Sequence, residues 1–193
     1  MNPYDVCVAN KIINDKQMTL AWHVDDMKIS HVDPEEVTKF INKLKEKFED
    51  KFGIMKVKRG GVHVCLGMTL DFTEPGKVKV DMSDVIKKMV EDFSVKSTKI
   101  DKTPAAEHSF VVDPNSPKLD EEQKQEFHAV TAKGLFACER ARPDVQTAMA
   151  FLSTRVKEPD QDDWKKPQRL VNYLKGTQDL ALTLSADDSF VMK

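Results

Sequence analysis

A chain of 193 residues with 40% hydrophobic content can bury one good core, or one core plus a small helical satellite, but not several large domains. Charged residues make up 32% and cancel to a net of −2, so no global field draws the protein onto nucleic acid or an anionic membrane, and any such contact has to be local. No apolar run approaches the ~20 residues of a bilayer span and the first residues lack a signal-peptide pattern, which excludes a membrane partner and points to an intracellular protein, cytoplasmic or nuclear.

Val6 to Ile13 forms a first expected strand, turning at Asn14 and Asp15. From Met18 to Val24 apolar residues alternate with others, the period of a half-buried strand, and Met27 to His31 resumes the pattern. Val24, Asp25 and Asp26 therefore belong at the tip of a hairpin. Asp33 then has the character of an N-cap, Pro34 suits the first helical position and Glu36 completes a capping-box pattern. Val37, Phe40, Ile41, Leu44 and Phe48 recur at helical spacing, leave Lys39, Lys43, Glu46 and Lys47 toward water, and meet a stop at Gly53.

Ile54–Lys58 and Val62–Phe72 are expected as two strands joined by Arg59, Gly60 and Gly61, the second with one dry face. A turn at Glu74, Pro75 and Gly76 leads to Val78 and Val80, and Val85, Ile86, Met89, Val90 and Phe93 mark a short amphipathic helix. Between Ser94 and Glu126 periodicity vanishes and turn formers crowd in, the pattern of a linker laid over the surface. Three helices are expected beyond it: Gln123–Arg140, Pro143–Lys157, and one ending near Lys175 and Gly176. Leu180 to Leu184 alternates again, as the first strand of something left unfinished.

Asp25 and Asp26 are the pair best suited to chemistry. Nucleotidyl transfer needs two hard cations about 4 Å apart, and carboxylates from separate strands are the ligands such cations take. Neighbours on a strand point to opposite faces, so Asp25 is the direct ligand and Asp26 the more peripheral one. Acidic residues are also ordinary at solvated turns, so the pair alone does not decide the matter.

Order and spacing elsewhere carry a resemblance. HVDD resembles the YxDD motif of reverse transcriptases, and VCLGMTLDF the FLG strand of copia-type retrotransposon enzymes. Met82 to Phe93 resembles the helix after that strand, and Thr103 with Pro104 the family's TP. FHAVTAKGLFACERARPDVQTAMAFLSTRV resembles its tyrosine-rich helix followed by RPD, and WKKPQRLVNYLKGTQD its WxAxKRVLRYLKGT. His23 departs from the family's usual Tyr, and Pro167 replaces a helix former.

The resemblance implies an α+β fold: residues 1–93 as part of a polymerase palm, with an antiparallel sheet and packed helices. It makes 94–126 a linker, 127–177 a helical thumb and connection, and 178–193 a truncated strand leading toward a ribonuclease H domain. It implies an RNA-directed DNA polymerase, a nucleotidyltransferase using Mg²⁺ or Mn²⁺ at Asp25 and Asp26. His23 and Val24 would lie beside the primer end and incoming nucleotide, and Leu66, Gly67 and Met68 would grip the primer. Partners would be an RNA or DNA template-primer, deoxynucleoside triphosphates and the rest of the polyprotein. Family enzymes carry a further metal-binding Asp on an earlier strand; Asp5 and Asp15 do not match that motif, so a fragment inactive alone is expected. A domesticated, non-catalytic nucleic-acid or protein binding module is the alternative.

Other residues keep two readings. Lys165, Lys166, Arg169 and Lys175 can neutralise backbone phosphates or simply be solvated. His63 and Cys65 share a strand face but lack further zinc ligands at suitable spacing. The three cysteines, Cys7, Cys65 and Cys138, form no CxxC and suit buried, reduced thiols. Trp164 suits a packing anchor.

Overall fold

The computed structural model describes residues 2–186. It is α+β, with two antiparallel sheets and five α-helices among the described residues. The chain divides into two compact units, Met1–Lys58 and Arg59–Lys193. No helix among the described residues is long and apolar enough to cross a membrane.

The first unit holds a three-stranded meander and one helix. Strands β1 (Val8–Ile13) and β2 (Lys16–His23) pair antiparallel through Ile13 and Lys16. Their two-residue turn places Asn14 at φ 50° and Asp15 at φ 58°, the left-handed conformation that Asn and Asp tolerate best among residues with a side chain. Strand β3 (Asp26–Ser30) pairs with β2 from His23↔Asp26 to Thr19↔Ser30. Helix α1 (Pro34–Phe52) starts where expected, with the Asp33 carboxylate accepting from the Glu35 N–H at 2.8 Å. The capping box does not close, because Glu36 turns to Lys39 instead, at 2.6 Å. Gly53, at φ 91°, ends the helix and donates to the Glu49 carbonyl.

Only Met18 and Ile41 are fully buried apolar side chains among the described residues of this unit, while Phe52 and Ile54 lie largely in water. Ile54 to Lys58, expected as a strand, is irregular: the Met55 N–H goes to the Glu49 carboxylate rather than to a neighbouring strand.

The second unit begins with a correction. Val62 to Phe72 is not one strand but a hairpin: β4 (Val62–Cys65), a two-residue turn at Leu66 and Gly67, and β5 (Met68–Asp71). A two-residue turn pairs Cys65 with Met68, so odd positions before it share a face with even positions after it. The apparent single alternation from Val62 to Phe72 is therefore split between faces, and Val62 and Val64 are exposed while Met68 and Leu70 are partly buried. Strand β6 (Lys77–Asp81) follows, pairing Leu70 with Val80.

The last strand, β7 (Leu182–Ser185), pairs antiparallel with β6, from Lys77↔Ser185 to Val80↔Leu182, completing the order β4-β5-β6-β7. Residues 187–193, expected to extend that strand, lie outside the described residues.

Four helices pack beside this sheet: α2 (Ser83–Asp92), α3 (Glu121–Cys138), α4 (Gln146–Arg155, entered through a 3₁₀ turn at Pro143–Val145) and α5 (Gln161–Gly176). Ile86, Met89, Phe127, Met149, Leu152, Leu170 and Leu174 interlock in their main core. A smaller cluster of Val80, Met82 and Ala141 joins the sheet to α3. Helix α2 belongs to this core, and the boundary between the two compact units falls at Lys58/Arg59.

The stretch from Ser94 to Asp120 carries a single 3₁₀ turn, Glu107–Phe110, and is otherwise irregular, as turn formers at that density dictate. It is nevertheless tied down: Asp101, Ser109 and Leu119 are buried, and Lys118 bridges Asp160. Pro167 sits beyond the first turn of α5, which continues past it to Gly176. The missing N–H is the one that would have met the Asp163 carbonyl.

Candidate functional site

Each expected site residue is placed within its own unit. In the first, the β2–β3 register pairs His23 with Asp26, leaving Val24 and Asp25 as the two residues of the turn. Val24 takes φ 53° and is 88% exposed. A β-branched side chain gains nothing there from burial and pays steric strain in a left-handed conformation. The consequence is a tight tip from which Asp25 and Asp26 both project into solvent. Val24→Gly should therefore raise the stability of this unit by about 1 kcal/mol, since glycine takes a positive φ without a Cβ clash. Urea unfolding followed at Trp22 reads this, and an unchanged or lower midpoint would refute the strain.

The carboxylates of Asp25 and Asp26 are the hard oxygen donors that Mg²⁺ and Mn²⁺ take. Among the described residues no group of three His, Cys, Asp or Glu side chains is able to hold a metal ion. Two carboxylates at one turn are too few to form a two-cation centre by themselves.

In the second unit, Leu66 and Gly67 form the β4–β5 turn and Met68 opens β5. Leu66 has φ 51° and Gly67 φ 74°. Glycine suits the positive φ at Gly67, and a Cβ there would come within a tight 3.3 Å of the Phe136 ring on α3. Met68 turns inward against the Val80, Met82 and Ala141 cluster, whereas Leu66 is 37% exposed.

The basic residues of α5 serve mostly to hold the chain together. Lys166 is 8% exposed, and its ammonium reaches the Asp163 carboxylate at 2.9 Å and the Val111 carbonyl at 2.8 Å. Arg169 pairs with the buried Asp101 at 3.4 Å and donates to the Thr103 hydroxyl at 2.8 Å. Lys175 donates to the Ser97 carbonyl at 2.8 Å. These three staple the irregular segment onto α5, and Lys165, paired with Asp162 at 3.4 Å, is the member left outside that staple.

His63 and Cys65 share the sheet face with Met68 and Leu70 through their register. Trp164 is a packing anchor, 7% exposed and 5.5 Å from the Phe93 ring.

Sequence reasoning passed over the buried polar groups. Arg142, 1% exposed, meets Asp144 through two N–H donors at 2.9 and 2.7 Å and also donates to the carbonyl and hydroxyl of Thr177. The Tyr173 hydroxyl donates to the same carboxylate at 2.8 Å. Burial pushes the Asp144 carboxyl up, but the bonds from Arg142 and Tyr173 outweigh it and hold the group below its ordinary value. Burial and that bond raise the Tyr173 phenol. The RPD run and the distant YLKGT run were each visible, but nothing in sequence showed that they meet.

The chain is 21% identical over 169 residues, 88% of its length, to a putative transposon Ty5-1 protein of Saccharomyces cerevisiae, covering 52% of that protein. It is 25% identical over 190 residues, 95% of its length, to the retrovirus-related Pol polyprotein from transposon TNT 1-94 of Nicotiana tabacum, covering 14% of it. Both matches are to retrotransposon proteins. They support a retrotransposon-derived chain, similar to part of a transposon polyprotein, and the chain spans about half of the first relative and a smaller share of the second. No family model and no solved structure matches.

Proposed function

We propose that this chain is a portion of a copia-type reverse transcriptase, in which Asp25 and Asp26 supply carboxylates to the metal centre for RNA-directed DNA synthesis. The observation that supports the reading is the strained turn at Val24, which holds two exposed acids at the end of a hairpin. Functional sites are where such backbone strain is retained. In this reading His23 and Val24 lie beside the primer end and the incoming deoxynucleotide, and the Leu66–Met68 segment seats the primer strand. Bound Mg²⁺ or Mn²⁺ would supply Lewis acidity to the phosphoryl group, with further ligands from outside the described residues. Because the two carboxylates are too few for a two-cation centre, the chain alone should give no primer extension.

Titrating Mn²⁺ into the ¹⁵N-labelled chain tests the site directly. Paramagnetic broadening should appear first at the amides from His23 to Met27 and should disappear in Asp25→Asn. Broadening spread evenly over surface acids, or unchanged in that variant, would remove the metal-ligand role. Retained primer-template binding with a steep salt dependence, indifferent to Asp25→Asn, would favour the non-catalytic binding module instead.

A further inference from the structure

Arg140 stands apart from the other arginines of α3 to α5. Arg142, Arg155 and Arg169 each pair with a carboxylate: Asp144, Asp160 with Asp163, and Asp101 respectively. Arg140 pairs with none among the described residues. Its guanidinium lies over the Phe136 ring, 3.8 Å from the centroid, and one N–H donates to the Phe136 carbonyl at 3.1 Å. A guanidinium carries five N–H donors in a planar fork, so one interaction fixes the plane and the others remain for a ligand. Stacking on an aromatic face is the usual way to orient that fork without neutralising it.

The same ring supports the β4–β5 turn. A Cβ on Gly67 would lie 3.3 Å from the Phe136 ring, a close approach, and Leu66 beside it is partly exposed. One aromatic residue thus holds both an unpaired cation and a narrow turn whose backbone lacks a side chain at its second position. A phosphodiester is the ligand whose charge and two free oxygens match a fixed, unpaired fork. With a net charge of −2 over the whole sequence, attraction of a nucleic-acid strand has to come from such local cations.

We propose that Arg140, oriented by Phe136 beside the Leu66–Gly67 turn, binds the phosphodiester backbone of a nucleic-acid strand at that turn. The assignment rests on the polymerase reading and adds to it a contact residue that the four basic residues of α5 do not provide. The neighbouring Glu139 is exposed and makes no ion pair with Arg140. The Phe136 carbonyl bond also suits a cation at a helix C-terminus, so a structural role and a binding role have to be separated by experiment.

Fluorescence anisotropy of a labelled DNA primer annealed to an RNA template, titrated with the full chain at several salt concentrations, separates them. Arg140→Ala should weaken binding about tenfold and flatten the plot of log affinity against log salt by about one. Arg140→Lys keeps the charge and can still reach the Phe136 carbonyl, but loses the stacked fork, and should recover only part of the affinity. Lys124→Ala removes the same charge at the opposite end of α3 and should leave binding unchanged. Thermal melts should be alike for all variants, and Arg140→Lys still decides the matter if Arg140→Ala folds poorly. If Arg140→Ala binds as tightly as Lys124→Ala, this inference falls while the polymerase reading stands. If the wild-type chain binds no primer-template at all, the polymerase reading falls and takes the inference with it.

Discussion

Asp163→Ala should destabilise the second unit by about 3 kcal/mol, the low end of the range found when one partner of a buried ion pair is removed. The low end applies because each cation keeps a second carboxylate: Lys166 has Asp162 at 3.4 Å and Arg155 has Asp160 at 3.2 Å. Asp163 is wholly buried and receives Arg155 at 2.8 Å and Lys166 at 2.9 Å. Lys166 is itself buried and close to the Phe151 ring. Removing the carboxylate leaves the buried ammonium with only the Val111 carbonyl and the longer Asp162 pairing. It also opens the capping box at the start of α5, where the Asp163 carboxylate accepts from the Asp160 N–H. Urea unfolding in a Trp22→Phe background, followed at the buried Trp164, measures the loss. Replacing both members, Asp163→Leu with Lys166→Met, should regain a large part of it, because an apolar pair needs no desolvation. A loss below about 1 kcal/mol in the single variant would mean that water reaches the pair.

How far the sequence disclosed this architecture depends on the range of the interaction involved. The Asn14–Asp15 turn, the Asp33 cap and the stop at Gly53 are local, set by residues within one turn of each other, and all three form as expected. The helical periodicity of α3, α4 and α5 is likewise local, and only their ends shift by a few residues. The hairpin at Leu66 escaped because a two-residue turn preserves the appearance of alternation while exchanging faces; Leu66 at φ 51° is also a poor advertisement for a turn. Strand β7 finds its partner about a hundred residues earlier in β6, a pairing no local pattern encodes. For the candidate site, the hairpin tip with Asp25 and Asp26 was legible from alternation alone. The basic residues of α5 were legible as a group but not as staples, since Ser97, Asp101, Thr103 and Val111 had to be brought to them by the fold.

Arg142→Ala should cost the second unit about 3 kcal/mol or more, combining the void left by a buried side chain with the unpaired groups it abandons. Those groups are the Thr177 carbonyl at the end of α5 and the Asp144 carboxylate at the start of the Pro143–Val145 turn. Arg142→Lys should not rescue it, because one ammonium cannot reproduce a fork that meets two oxygens on Asp144 and two on Thr177. The acid side of the stability curve gives an independent reading. Asp101, Asp144 and Asp160 all lie below their ordinary values: burial raises each, and the bonds each accepts outweigh it. A carboxyl depressed in the folded state contributes stability that is full above its unfolded value, near pH 4, and is lost as pH falls through the folded one. Unfolding midpoints should therefore hold steady from pH 7 to about 5 and drop below about 4. In Arg142→Ala the Asp144 carboxyl loses its main partner, so the drop should be shallower than in the wild-type chain. Parallel acid slopes for the two proteins would show that Asp144 does not draw its depression from Arg142.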